Sequence, residues 1–224
     1  GVSGADGGNP GNVDVRLSAG VFINNQGDSD FGYAVDLNGY FIGAIASGAA
    51  GDGGKGGNTT WSGSGSGNGG NGGVLKGEDP SSVSLTADNG SVIKVLAKNP
   101  VLGLFAQSTG GLGGDAGEKS WIAGGSSGGD GGFSGPVNVE NHGVIQASIL
   151  SDDASGGAGI LMQSVGGQGG QASGGTSLIT YGGTEGGTGG VSGNVSVINT
   201  GTILTSGNSV VGINAQSIGG GGGA

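Results

Sequence analysis

Glycine supplies 63 of the 224 residues, cysteine is absent, and the formal net charge is −10. The absence of cysteine excludes disulfides and thiol chemistry, and the six basic residues are scattered, which argues against nucleic acid and anionic membranes as partners. No stretch approaches the ~18 consecutive apolar residues of a transmembrane helix, so we expect no membrane insertion of this segment. The sequence lacks an initial Met and a signal peptide, and we expect a mature or excised piece of a longer product.

Four apolar segments recur along the chain, and each contains a marker glycine. They are IGAIASG (42–48), LGLFAQSTGG (102–111), AGILMQSVGG (158–167) and VGINAQSIGG (211–220). The marker glycines are Gly43, Gly103, Gly159 and Gly212, at spacings of 60, 56 and 53 residues. Because this period is too regular for a random linker, it indicates a repeat architecture.

Two further short strands precede each marker segment, most clearly in VNVENHGVIQAS (137–148) and VSVINTGTILTS (195–206). Alternation of apolar residues with period two predicts strands with one buried face, such as one that combines Val211 with Ile213. Three strands per repeat predict an all-β fold: a right-handed parallel β-helix of about four triangular coils in a single elongated domain, residues 1–224. The predicted coils cover about 13–47, 82–108, 137–165 and 195–218, and the stretch 24–40 adds a loop or partial coil to the first.

A glycine-rich segment follows each of the first three coils, at about 48–73, 109–136 and 166–193. Each has two Gly-Gly-x arms around a glycine-poor tip with one aromatic residue, and these are Trp61, Trp121 and Tyr181. A three-residue period matches the polyproline II helix, in which every third residue lies on one side. We therefore expect polyglycine hairpins that stack along one side of the β-helix. The tip aromatics either bind a partner or glycan, or staple the hairpin turns.

The coils at 137–170 and 195–223 resemble the Gly-rich repeats of bacterial autotransporter passenger domains and large surface adhesins. The resemblance rests on the N-x-G-x-I strands and on the G-I-x-A-Q-S strand that ends in glycine. It implies a secreted β-helix, attached to the cell or assembled into extracellular fibres, that acts through its surface. No outer-membrane barrel is present in the sequence, so export by self-transport does not follow.

Candidate chemistry is sparse. Asp28 and Asp30 in NNQGDSDFG (24–32) are weak calcium candidates because the full EF-hand spacing is missing. No nucleotide-binding motif occurs, so we expect no cofactor. The carboxylates are dispersed and the single histidine, His142, aligns with Thr200, so we expect no catalytic residues and no enzyme. A β-helix lyase or hydrolase would reveal itself by activity on acidic polysaccharides.

Glutamine recurs at one position of successive coils, as Gln107, Gln163 and Gln216, and predicts a structural amide ladder. The serines that follow them, Ser108, Ser164 and Ser217, predict a parallel column. No cap is visible at either end of the predicted coil stack, which predicts a head-to-tail contact that generates a filament. The sequence thus favours an extracellular structural or adhesive protein of a bacterial surface fibre or biofilm matrix, with self-association and a host surface or glycan as partners. The alternative is an ice- or glycan-binding β-solenoid module.

Overall fold

The computed structural model describes residues 2–27, 36–37, 40–58, 68–73, 81–118, 125–173 and 185–224, and their regular structure is entirely β-strand. In chain order the strands of these residues are β1 (Val13–Leu17), β2 (Phe22–Gly27), β3 (Asp36–Leu37), β4 (Tyr40–Ala49), β5 (Val83–Ala87), β6 (Val92–Ala97), β7 (Val101–Thr109), β8 (Val137–Asn141), β9 (Val144–Ile149), β10 (Gly157–Val165), β11 (Val195–Asn199), β12 (Thr202–Ser206) and β13 (Val210–Ile218). The all-β class predicted from the sequence is confirmed.

The strands stack in three sheets, ordered β1-β5-β8-β11, β2-β6-β9-β12 and β3-β4-β7-β10-β13. All pairings are parallel except that of β3 with β4. Each sheet takes one strand from each of four successive coils, so the chain passes through the three sheets once per coil. The β-helix-like architecture of about four coils is therefore confirmed, while right-handed winding stays a prediction.

The core between the three sheets is a narrow apolar column. Alternate residues of each strand point inward, as in β5 and β6, where buried and half-buried residues follow one another. The largest fully buried side chains are Leu85, Ile93, Leu104, Ile145, Ile160 and Met162. Full burial of such a side chain contributes about 1.5–3 kcal/mol. Because successive coils supply these residues in register, the coils stabilise one another and none has a separate core.

The marker glycine forms a step, which is an interruption of the regular strand pairing, in β4, β7, β10 and β13. It is the one position that each pairing of these strands leaves out of the ladder. A Cβ on Gly103 would lie less than 3.0 Å from both the carbonyl oxygen of Gly159 and the Cγ2 of Ile145. Only glycine therefore allows neighbouring coils to approach this closely at the step.

The step also changes which residues face the core. Ile213 is in register with Ile160 of the main core, whereas Val211 is in register with Ala158 of a second apolar cluster. The prediction that Val211 and Ile213 share one buried face is therefore wrong. The intervening Gly212 interrupts the period-two alternation, so the residues before and after it point to different sides.

The first coil is partly covered at its outer edge. Strand β3 pairs antiparallel with β4, with Asp36 opposite Phe41 and Leu37 opposite Tyr40. The sequence predicts no polar or Pro-rich cap at either end, and this two-residue strand comes from the stretch 24–40 that is expected to add a loop or partial coil. At the other end, β11, β12 and β13 have no strand on their outer side within the described residues.

Candidate functional site: the glycine arms and the last coil

Eight glycine-rich arms lie between or beyond the coils. They are arm 1 (residues 2–9), arm 2 (50–58), arm 3 (68–73), arm 4 (110–118), arm 5 (125–136), arm 6 (166–173), arm 7 (185–194) and arm 8 (219–224). None of these residues belongs to a strand, yet the arms are joined to one another by backbone hydrogen bonds. Where those bonds go decides what the arms can do.

Arms of the same parity bond side by side from one coil to the next: each even-numbered arm bonds to the next even-numbered arm, and each odd-numbered arm to the next odd-numbered arm. In arm 2, the N–H groups of Gly53 and Gly56 donate to the carbonyl oxygens of Leu112 and Asp115 in arm 4, at 2.8 and 2.9 Å. Gly113 of arm 4 donates in the same way to arm 6. Every bond of this kind among the described residues runs from the earlier coil to the later one.

Arms of opposite parity also bond to one another, with their chains antiparallel. The N–H groups of Gly54 and Gly57 in arm 2 donate to the carbonyl oxygens of Ala5 and Val2 in arm 1, both at 2.7 Å. The donors are again three residues apart. The odd and even arms therefore form two layers, and in arms 2, 3, 5 and 6 two of every three N–H groups connect one arm to another.

The third N–H of each triplet belongs to the outward-facing residue, and in several triplets an outward Asp or Asn side chain one coil earlier accepts its hydrogen bond. Asp52 Oδ1 accepts from the N–H of Leu112 at 2.8 Å, and Asn71 Oδ1 accepts from the N–H of Asp130 at 2.9 Å. Asp130 Oδ1 in turn accepts from the N–H of Thr188 at 2.8 Å. Short Asp and Asn side chains in the arms thus complete the hydrogen bonding of the backbone.

Glycine is required at most inward positions of the triplets, while Ala116 and Ser134 are among the exceptions. A Cβ on Gly132 would lie less than 3.0 Å from the carbonyl oxygen of Gly73 on the neighbouring arm. The same holds for Gly167 against Gly111. At the outward position of arm 8, by contrast, a Cβ on Gly221 would meet no atom within 4 Å. The Gly-Gly-x pattern therefore follows from the close approach of neighbouring backbones.

The serine column joins the arms to the coils. Ser164 Oγ accepts from the N–H of Gly193 at 2.8 Å and contacts the carbonyl oxygen of Gly135 at 2.9 Å. Ser108 Oγ accepts from the N–H of Gly135 at 2.9 Å. Both serines are buried. Their hydroxyl groups satisfy backbone groups where arms 5 and 7 return to the β-helix, so they hold the arms against its corner.

The glutamine column lies beside the serines. Gln107 Nε2 donates to Gln163 Oε1 at 3.2 Å, and Gln163 Nε2 donates to Gln216 Oε1 at 2.8 Å. The first coil has Ser47 at this register position. The amides therefore connect the second, third and fourth coils by side-chain hydrogen bonds.

Charged residues at the coil corners form separate pairs. Arg16 contacts Asp88 at 2.9 Å, and this hydrogen bond raises the pKa of Arg16. His142 Nδ1 lies 2.6 Å from Thr200 Oγ1, and its Nε2 lies 3.6 Å from Glu140. The contacts of Arg16 with Asp88 and of His142 with Thr200 join neighbouring coils, whereas that of His142 with Glu140 lies within one coil, and the contacts do not converge on one point.

Several residues singled out in the sequence lie outside the described part of the chain: Trp61, Trp121, Tyr181, Asp28 and Asp30. Among the residues that are described, no group of three or more His, Cys, Asp or Glu side chains could hold a metal ion. The same residues contain no helix that is long and apolar enough to cross a membrane.

The outward face of the even arms carries a shallow groove of about 370 Å³. Its floor is glycine backbone from arms 2, 4 and 6, and its lining side chains are Asp52, Lys55, Leu112, Asp115, Gln168 and Gln171. Polar side chains thus repeat along each arm and from coil to coil above a flat backbone floor.

The last coil exposes residues that are buried in the coils before it. Ile213 is 41% exposed, whereas Ile160, in register with it, is 0% exposed. Val211 is also exposed, whereas Ala158, in register with it, is buried, and a Cβ on Gly212 would meet no atom within 4 Å. This coil therefore presents an apolar surface and unpaired strand edges.

No family model matches the chain, and no curated protein matches it. One solved structure with some similarity is the springtail antifreeze protein from Granisotoma rainieri, a bundle of nine polyproline type II helices. The identity is 19% and the TM-score 0.18, over 88% of this chain and 97% of that chain. Values this low establish neither a shared fold nor a shared function. The fold and the surfaces described above define a β-helix-like repeat protein with hydrogen-bonded glycine arms.

Proposed function

We propose that this chain is an extracellular structural and adhesive repeat protein, a subunit or segment of a bacterial surface fibre or biofilm matrix. It assembles by head-to-tail stacking of its β-helix coils and is not an enzyme. The observation that carries the proposal is the last coil, whose core-facing residues and strand edges are exposed in the register that the earlier coils use for stacking.

The energetics of the last coil support stacking. Val195 and Val197 are half-buried, whereas Val137 and Val139, in register with them one coil earlier, are 0% and 1% exposed. Covering each of these valines with another coil would contribute roughly 1 kcal/mol. Unpaired strand edges add to this tendency, since they are templates for pairing with another chain.

The glycine arms serve as polyglycine II hairpins stacked along one side of the β-helix. Support comes from the three-residue period of donors in arms 2 to 8 and from the glycines at most inward positions. Three residues per turn and the absence of hydrogen bonds within a helix are properties of the polyproline II conformation. Bonds between arms replace those that this conformation lacks, and they stiffen the fibre.

The adhesive part of the proposal concerns the outward faces and the hairpin tips. Trp61, Trp121 and Tyr181 are spaced 60 residues apart, so stacked hairpins would present them as a row along the fibre. An exposed aromatic row is a contact surface for a host component or glycan. The setting at the bacterial cell surface rests on the resemblance of the coils to autotransporter and adhesin repeats.

Sedimentation velocity of the purified 224-residue chain over a hundredfold concentration range, followed by electron microscopy, tests the proposal. Stacking predicts a growing distribution of large species and elongated filaments. A single small species at every concentration would refute it. Surface labelling of the producing cells with an antibody tests the location separately, and signal confined to the cell interior would rule out an extracellular fibre.

A second candidate function is binding of a glycan or of ice by the outward face of the arms. The regular two-dimensional array of polar side chains above the glycine floor favours it. A glycan array and a thermal-hysteresis assay distinguish this candidate from a purely structural role. Binding that is lost on changing Asp115 or Gln171 to Ala, with assembly unchanged, would support it, and absence of both signals would exclude it.

A further inference from the structure

Arms 7 and 8 carry a row of backbone donors without acceptors. Within the part of the chain that the structure describes, no hydrogen bond uses the N–H groups of Gly186, Gly189 and Gly222. The corresponding groups one coil earlier are all used, as in the bond from the N–H of Gly169 to the carbonyl oxygen of Gly221 at 2.8 Å. The last coil thus ends in N–H groups that point along the stack.

Arms 1 and 2 show the complementary pattern. The carbonyl oxygens of Ser3, Asp6 and Asp52 accept no hydrogen bond within the described residues. In later coils the carbonyl at the same position does accept, as Leu112 does from Gly53. Within the described residues, the first coil therefore begins with unused backbone acceptors, because every backbone–backbone bond between arms of the same parity runs from an earlier donor to a later acceptor.

This arrangement gives the stack of arms a polarity. For the backbone bonds, one end offers donors and the other offers acceptors, so two donor ends or two acceptor ends cannot form these bonds with one another; the side-chain bonds, such as that from the N–H of Leu112 to Asp52 Oδ1, run in the opposite direction. A strand edge of a sheet, by contrast, presents both N–H and C=O groups. The arms distinguish the two orientations of an incoming copy more sharply than the strand edges do.

The partly covered outer edge of the first coil also favours a contact on the side of the arms. Strand β3 occupies the outer edge of β4 at Tyr40 and Phe41, near the start of that strand. Arm 2 leaves from the opposite end of β4, after Ala49, and no described strand lies beyond it. The arm side of the first coil is therefore open to a neighbour, whereas the opposite corner is partly occupied.

We infer that the glycine arms form the directional joint between two copies of this chain, with arms 7 and 8 of one copy donating to arms 1 and 2 of the next. The register of the existing bonds assigns three pairs across the joint: Gly186 to Ser3, Gly189 to Asp6, and Gly222 to Asp52. The inference rests on the proposed function and adds to it which surface makes the contact and why it has one direction.

Two adjacent glycines of arm 8 provide a matched test. A Cβ on Gly222 would have Gly187 O as its nearest neighbour, at 3.6 Å, which is ordinary contact. At the equivalent Gly169, a Cβ would lie less than 3.0 Å from the following arm. A side chain at position 222 is therefore tolerated within one copy and collides with arm 1 of the next. Gly221 is an outward position, where a Cβ meets nothing within 4 Å.

The experiment compares the critical concentration for filament growth of the wild-type chain, Gly222→Gln and Gly221→Gln, with the unfolding temperature as a check on folding. We expect similar unfolding temperatures for all three proteins. Gly222→Gln should raise the critical concentration roughly tenfold or more, equivalent to about 1.4 kcal/mol. Gly221→Gln should not raise it, because a side chain at that position meets no neighbouring arm.

The outcomes separate the two proposals. Filaments of Gly222→Gln at the wild-type critical concentration would overturn the joint and leave the fibre function intact. Equal loss of assembly in both variants would also overturn it, because a side chain at the outward position enters open space and does not come between neighbouring arms. A wild-type chain that stays monomeric would overturn the joint and the fibre function together.

Discussion

Substituting Gly132 by Ala tests whether the arms pack as closely as the structure shows. Gly132 lies in the middle of arm 5, where its N–H donates to Gly111 O at 2.8 Å and its carbonyl accepts from Gly167 at 2.9 Å. A Cβ there would lie less than 3.0 Å from the carbonyl oxygen of Gly73. The clash is with backbone, so the arms themselves must move apart.

The magnitude follows from what that movement breaks. Loss of the two hydrogen bonds costs about 2 kcal/mol, at about 1 kcal/mol each, and forced repacking of a filled site costs typically about 1–3 kcal/mol. Alanine offsets about 0.4–1 kcal/mol because it reduces the entropy of the unfolded chain. The expected result is a loss of about 2–5 kcal/mol in the free energy of unfolding.

Denaturant unfolding of Gly132→Ala and of the control Gly221→Ala provides the assay. The control places the same methyl group in open space, so we expect it to stabilise the protein by up to about 1 kcal/mol through the unfolded state. The two substitutions should therefore have opposite signs. Equal, neutral or stabilising effects of both would refute the close packing of the arms.

Two other substitutions test the columns that join the coils. Ser164→Ala removes a buried hydroxyl that bonds both neighbouring arms, and we expect it to lower the free energy of unfolding by about 1–3 kcal/mol. The exposed control Ser196→Ala should lower it by less than about 0.5 kcal/mol, and denaturant unfolding measures both values. Similar values for the two serines would contradict the anchoring role. Gln163→Ala removes two side-chain hydrogen bonds of the glutamine ladder, and Gln216→Ala removes only one. We therefore expect Gln163→Ala to lower the free energy of unfolding by about 1 kcal/mol more than Gln216→Ala does. A larger loss for Gln216→Ala would exclude a continuous ladder.

The coil architecture could be predicted because its signals are local and repeated. Val137 and Val139, or Val195 and Val197, alternate with polar residues over a few positions, and the marker glycines return at a regular spacing. Both features follow from the same cause, since each coil must bury a strand face and approach its neighbour closely.

Other features depend on contacts that no local pattern contains. Strand β3 has only the two residues Asp36 and Leu37, too few for a recognisable alternation. The carboxylate of Asp52 meets the N–H of Leu112, 60 residues away, and only the register of the arms brings them together. One signal could have been read: Asp, Asn or Gln recurs at the outward position of the triplets, where short polar side chains can satisfy a backbone N–H.

The most direct test of the fibre is a cryo-electron microscopy reconstruction of filaments grown from the purified chain. Head-to-tail stacking through the arms predicts an axial rise of roughly 19 Å per subunit, which is four coils at ~4.8 Å each, with an unbroken ridge of glycine arms on one side and all subunits in the same direction. Subunits related by a two-fold axis, a ridge interrupted at each joint, or dispersed single particles would contradict it.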